Sequence, residues 1–235
     1  MSTMSALAAL IICANVLNTY ANEPSCERQA SSDGALANSA DENLLDGYTF
    51  LKQGARFDMV MTSIELLRGF GADVEVGISL ACVSTVTTQK DNETHEVTET
   101  VDYKNDTSVT WEVFSQNFKF TLESGGYNRM NSMLLTGAPS GDYLFRYAVK
   151  ECAVIQVKDY GKRAEETTET AHPEERTEEN AKDQLPDCMM WTEHKKTYAA
   201  QNFCEKYFTK CCKPKNPKYK YTPEKCDVPD KKEEL

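Results

Sequence analysis

The stretch "DYLFRYAVKECAVIQV", residues 142–157, decides the fold class because apolar side chains alternate with others along both of its halves. Tyr143 and Phe145 share one face of the first half, and Ile155 and Val157 share one face of the second. A period of two is typical of a β-strand, whose successive side chains point to opposite sides. The stretch therefore predicts two strands in succession.

The same period recurs from about residue 56 to residue 158, in short runs separated by Asn, Asp, Gly and Pro. The run "THEVTETVDY", for example, places Val97, Glu99, Val101 and Tyr103 on one face. Many short strands at regular spacing predict an antiparallel barrel or sandwich. After residue 187, "CMMWTEH" predicts one more strand, which a closed barrel needs as its last.

Helices are predicted on both sides of this strand-rich region. The segment "ADENLLDGYTFLKQ" predicts a short helix with Asp41 as its N-cap, and "AAQNFCEKYFTKCC" predicts a helix after the last strand. We divide the chain into an N-terminal arm over 22–40, a barrel domain over 41–226 and a charged tail over 227–235.

Residues 1–21 are interpreted as a secretory signal peptide, because an apolar run from Ser5 to Leu17 is too short to span a bilayer and is followed by small residues. No second long apolar run follows, so we expect a soluble, secreted protein without a membrane span. Two sequons in predicted turns, at Asn92 and Asn105, predict N-linked glycans. The terminal Lys-Glu-Glu-Leu is interpreted as the end of the charged tail rather than an ER-retention signal.

Eight of the nine cysteines remain after the signal peptide, and an even number in a secreted chain predicts disulfides. A zinc site is the alternative, but the chain has no C-x-x-C pair and only three histidines. The eight are Cys26, Cys82, Cys152, Cys188, Cys204, Cys211, Cys212 and Cys226.

The formal net charge of −11 argues against nucleic acid as a partner. Residues 163–187 hold nine acidic and three basic side chains, whereas residues 206–226 hold seven lysines and one glutamate. Both runs are interpreted as solvated surface; alternatively they pair with each other, or the lysines meet an acidic partner. We interpret 160–187 as an acidic insert loop.

Catalytic signatures are missing. The sequence has no nucleophile elbow, zinc-binding helix motif or glycine-rich phosphate loop, and its three histidines lie in polar stretches. We therefore predict that the protein is not an enzyme and needs neither a cofactor nor a metal ion.

The run "SGGYNRMNS", residues 124–132, stands between "LACVSTV" and "KECAVIQV", and is followed by "MMWTEH" and "NFCEKYFTKC". In this order and with this cysteine spacing, the chain from about Asp46 to Cys226 resembles the tick salivary lipocalins, the histamine-binding protein family. The resemblance implies an all-β fold, an eight-stranded antiparallel lipocalin-like barrel with N-terminal and C-terminal helices. It also implies a secreted protein that sequesters a small host mediator and suppresses host inflammatory or immune defence.

Disulfide pairs follow from the resemblance by position. It implies that Cys152 pairs with Cys204 and that Cys82 pairs with Cys226. For the remaining four, we expect Cys26 to reach one of the neighbouring Cys211 and Cys212, and Cys188 to reach the other.

The ligand is left open between two classes. Family membership favours a biogenic amine, but Gly54, Asn117, Ala153 and Met189 stand where histamine-binding relatives are expected to present carboxylates. A buried cation needs a buried anion, so the absence of carboxylates at these four positions favours an apolar lipid or sterol. Asp73 is the one acidic residue that stands where a carboxylate is expected.

The candidate ligand-binding residues combine Asp73, Asn117 and Met189 with an apolar wall. Met189 and Trp191 are interpreted either as simple barrel core or as cavity lining. The full set is Phe50, Asp73, Asn117, Phe118, Phe120, Leu135, Tyr143, Phe145, Met189 and Trp191. The alternative function is a protein-binding immunomodulator that uses the barrel as a scaffold, and in either case we expect a monomer.

Overall fold

The structure, a computed structural model, describes Cys26, Tyr160 and most of the chain between residues 44 and 226. The described ranges are 44–64, 80–105, 110–133, 140–158, 185–195, 199–219 and 221–226. The predicted signal peptide, the N-terminal arm apart from Cys26, most of the acidic insert and the charged tail lie outside them.

Eight strands and three helices form in the described ranges. In chain order they are α1 (Gly47–Phe50), β1 (Arg56–Thr62), β2 (Leu80–Asp91), β3 (Glu96–Asn105), β4 (Glu112–Glu123), β5 (Gly126–Ser132), β6 (Asp142–Val149), β7 (Cys152–Lys158), β8 (Cys188–Glu193), α2 (Ala199–Cys211) and α3 (Pro223–Cys226).

Each strand pairs antiparallel with the next, and β1 pairs with β8 to close the barrel. The predicted eight-stranded antiparallel barrel is therefore confirmed. The period of two has the expected consequence on β4, where Phe118 and Phe120 are buried and Lys119 between them is exposed.

Strand β8 seals the sheet. Met189 lies opposite Ile155 of β7 and Thr62 of β1, so this one strand joins both edges. Met189 and Trp191 pack in the barrel interior, whereas Met190 packs outside the barrel. The division of these side chains between two faces agrees with the strand predicted from the sequence.

Helix α2 covers the outer surface of the last strands. Its buried residues Cys204, Tyr207, Phe208 and Cys211 follow helical spacing and form one apolar stripe. This stripe packs in a cluster with Val154 of β7 and Met190 of β8.

The N-terminal helix starts later than the sequence predicted. Residues 44–46 are not helical, and the N-cap is Asp46, whose Oδ1 accepts a hydrogen bond from the Thr49 amide at 2.7 Å; Asp41 lies outside the described residues. Contacts with the sheet explain why the helix does not begin earlier, because the Leu45 amide donates to the carbonyl of Ala148 at 2.9 Å instead of to a helical carbonyl. The chain is thus held on the barrel before the first helical turn.

Four disulfides engage all eight cysteines of the predicted mature chain. Cys82–Cys226 and Cys152–Cys204 are the pairs that the resemblance implies, and the neighbouring cysteines are shared as Cys26–Cys211 and Cys188–Cys212. Three of the bonds close loops of 52 to 185 residues, for which the expected stabilisation is about 2–4 kcal/mol each.

None of the helices in the described ranges has the length and the apolar run needed to cross a bilayer.

Candidate functional site

The barrel interior contains a cavity of about 90 Å³ within the described residues. Aromatic and aliphatic side chains form nearly all of its wall. The lining residues are Phe50, Leu51, Met59, Val83, Thr85, Glu99, Val101, Phe114, Gln116, Phe118, Met130, Tyr143, Phe145, Ile155, Tyr160, Met189 and Trp191. Pockets for drug-sized ligands are larger, roughly 300–1,000 Å³, so this cavity fits a compact molecule.

Helix α1 covers one end of the barrel. Lys90 of β2 holds it there, because its Nζ donates to the carbonyls of Tyr48 at 2.6 Å and Leu51 at 2.8 Å and lies 4.0 Å from the centre of the Tyr48 ring. Burial lowers the pKa of Lys90, and the charges of Asp46 and Glu99 partly offset this shift. Residues 65–79, 106–109 and 134–139 lie outside the described residues.

Glu99 brings a carboxylate to the cavity wall. Its side chain is 4% exposed, and its two carboxylate oxygens accept hydrogen bonds from the hydroxyls of Thr85 at 2.7 Å and Thr87 at 2.6 Å. Burial raises the pKa of Glu99 to about 7, although the two threonine hydrogen bonds and the charge of Lys90 act in the opposite direction. Within the described ranges, Glu99 is the one carboxylate among the lining residues.

Gln116 lies directly opposite Glu99 on the neighbouring strand β4. The residue is 2% exposed and lines the same cavity. Its Nε2 is buried and has no hydrogen-bond partner among the described residues. A buried donor without a partner is costly, so Nε2 is available to donate a hydrogen bond to a molecule inside the cavity.

The closed antiparallel barrel and its lined interior cavity are features shared with a known family of proteins. A family model described as tick histamine binding protein matches residues 37–167, which is more than half of the chain. This chain belongs to the tick histamine binding protein family. The match runs from before α1 to beyond β7, so it covers α1 and seven of the eight strands. A search of curated proteins gave no match.

Membership of the tick histamine binding protein family makes the barrel interior the place where a ligand is expected. Six of the ten residues predicted from the sequence line the cavity: Phe50, Phe118, Tyr143, Phe145, Met189 and Trp191. A seventh, Phe120, is buried in the same core but packs toward α1. The centroid of its ring lies 5.4 Å from that of Tyr48 and 5.9 Å from that of Phe145.

Asn117 does not face the cavity, and this expectation is wrong by one residue. Its side chain is exposed, and its Oδ1 accepts a hydrogen bond from the Thr98 hydroxyl at 2.9 Å on the outer surface. Because side chains alternate along a strand, a displacement of one residue exchanges the inner and outer faces. The inward side chain at this point of β4 is Gln116.

Two predicted site residues, Asp73 and Leu135, lie outside the described residues. Of the two predicted glycosylation sites, Asn92 is exposed in the turn between β2 and β3, and Asn105 ends β3.

The sequence did not lead us to predict Glu99 as a lining residue of the cavity, although the signal was present. The alternation of "THEVTETVDY" places Glu99 on the same face as Val97 and Tyr103, both of which are buried. An acidic residue on the buried face of a strand is unusual, because a charged side chain is rarely buried without partners. Threonines two residues apart on β2 are the partners here.

Proposed function

We propose that this protein is a secreted lipocalin that sequesters a compact small molecule of the host in its barrel and so suppresses host defence. The observation that carries the proposal is the aromatic and aliphatic cavity inside a closed barrel, which the chain's own side chains leave open. Family membership supports ligand binding as the role of that cavity. An interior left open also argues against a barrel that serves purely as a scaffold for binding proteins.

A ligand with an apolar body and one polar group fits the wall best. Phe118, Tyr143 and Trp191 supply apolar surface, whereas Glu99 supplies a hydrogen-bond acceptor. Burial of apolar ligand surface provides the driving force, at about 25 cal/mol per Å². The sequence favoured an apolar lipid or sterol as the ligand, and the cavity wall restricts this ligand to small amphipathic molecules.

A biogenic amine is the second candidate, and Glu99 is the specific observation that favours it. An ionised Glu99 offsets the desolvation of one ammonium group, and the aromatic rings add cation–π attraction. A bound cation also favours the ionised form of a carboxyl whose pKa is near neutrality.

Native mass spectrometry after exposure to host serum tests the proposal. The wild type should retain a small molecule, and Val83→Phe, which fills the cavity, should lose it. Val113→Phe is the matched control, because Val113 is 60% exposed on the outside of β4. A wild type that retains no small molecule, or a Val83→Phe variant that retains as much, would contradict cavity binding.

A further inference from the structure

We propose that Glu99 and Gln116 together select a ligand whose polar group both donates and accepts hydrogen bonds, such as a primary amide or a hydroxyl, rather than an ammonium group alone. The inference rests on the proposed function and names the ligand class of that site. It starts from the opposite positions of the two residues on β3 and β4.

Residues directly opposite in an antiparallel pair have their Cβ atoms about 4.5–5.5 Å apart. A carboxyl group and a primary amide therefore stand side by side on one wall of the cavity. The remaining lone pairs of Glu99 accept from a ligand, since Thr85 and Thr87 occupy one direction on each oxygen. The amide of Gln116 contributes N–H donors and needs an acceptor.

Nε2 of Gln116 distinguishes between head groups. An ammonium group has only donors, so it would pair with Glu99 and leave Nε2 without a partner. A primary amide donates through its own N–H to Glu99 and accepts from Nε2 through its carbonyl oxygen. One such head group satisfies both side chains of the pair.

The rest of the wall restricts the body of the ligand. Phe118 and Tyr143 meet edge to face, with ring centroids 5.5 Å apart and planes at 90°. These rings favour an aromatic body that packs against their faces and edges, and a cavity of about 90 Å³ restricts that body to a single ring at most.

Calorimetry with three probes of similar shape tests the selection: 2-phenylacetamide, 2-phenylethylamine and propylbenzene. We expect the wild type to bind 2-phenylacetamide most tightly. Gln116→Leu should weaken that affinity about tenfold, the value of roughly one net hydrogen bond, and should leave propylbenzene binding unchanged or tighter. Asn117→Leu removes the neighbouring amide on the outer face and should change neither affinity.

Thermal stability separates recognition from a structural role. Because Nε2 has no partner among the described residues, Gln116→Leu should raise the melting temperature; a structural amide would lower it. Equal affinities for the three probes, or an amide affinity that survives Gln116→Leu, overturn the selection while leaving cavity binding in place. Failure of all three probes, propylbenzene included, overturns cavity binding as well.

Discussion

The ring of Phe145 occupies the space beside Gly47 that any larger residue would need. A Cβ atom added at Gly47 would lie 2.4 Å from Cδ2 of Phe145, which is far inside van der Waals contact. The Gly47 amide also donates to Oδ1 of Asn128 at 3.0 Å, so the backbone at Gly47 cannot move away from Phe145 without lengthening this hydrogen bond.

Gly47→Ala should therefore destabilise the fold by about 1–3 kcal/mol, the usual cost of overpacking a core. It should also perturb ligand affinity, because Phe145 lines the cavity. Urea denaturation measures the first effect and calorimetry the second. Thr49→Ala, at an exposed position of the same helix, should stay within about 0.5 kcal/mol of the wild type. Equal stabilities of the two variants would show that Phe145 moves aside freely.

Stability should depend on pH through Glu99. Its pKa is about 7 in the folded protein against an ordinary value of 4.5, so the folded state holds the proton more tightly. The contribution of this proton to stability is complete below pH 4.5 and is lost as pH rises through 7. The loss is about 3 kcal/mol by proton linkage.

Glu99→Gln should remove this dependence, so the difference in unfolding free energy between wild type and variant should change steadily from pH 4.5 to 8. Urea denaturation at several pH values measures it. Glu96→Gln, on the same strand with its carboxylate paired to Lys119 at 3.2 Å near the surface, is the control and should follow the wild type. If the unfolding free energies of wild type and Glu99→Gln ran parallel across this pH range, the Glu99 carboxyl would have to be solvated rather than buried.

Met189→Glu should shift the ligand preference toward amines. It places a second carboxyl group among the lining residues, where it weakens binding of a lipid or of propylbenzene and supplies another anion for a buried cation. Histamine should bind the wild type weakly and the variant better, as measured by calorimetry. Submicromolar histamine binding by the wild type that disappears in Asp73→Asn would instead assign amine recognition to Asp73.

Deletion of residues 163–185 should change melting temperature and ligand affinity little. The strands on either side are already paired, since the Val157 amide donates to the carbonyl of Asp187 at 2.9 Å and Gln156 lies opposite Cys188. A shorter connection of a few residues suffices for neighbouring antiparallel strands. A large loss of affinity on deletion would make the segment part of the binding site.

The sequence predicted the strands well because each strand has one face in the core, which imposes a period of two. It did not predict the start of α1, because the contacts that fix Asp46 as the cap come from distant residues; the Tyr127 amide, for instance, donates to its Oδ2 at 3.3 Å. Asn117 was predicted from its position in the resemblance, whereas the alternation with Phe118 and Phe120 places Asn117 on the outer face of β4 and Gln116 on the inner face. The alternation placed Glu99 on the inner face of β3. Its burial was not predicted, because the threonines that donate to its carboxylate lie on another strand.

The four disulfides have a consequence for the order in which the protein is made. Each bond joins one of the first four of these eight cysteines to one of the last four, in the pairs Cys26–Cys211, Cys82–Cys226, Cys152–Cys204 and Cys188–Cys212. Ribosomes build the chain from its N-terminus, so no native bond exists until Cys204 has been synthesised. Any earlier bond among these eight cysteines is incorrect and has to be exchanged through a mixed disulfide. Oxidative maturation of this barrel is therefore a late event, and a nascent chain that stops before Cys204 cannot contain any of the four native bonds.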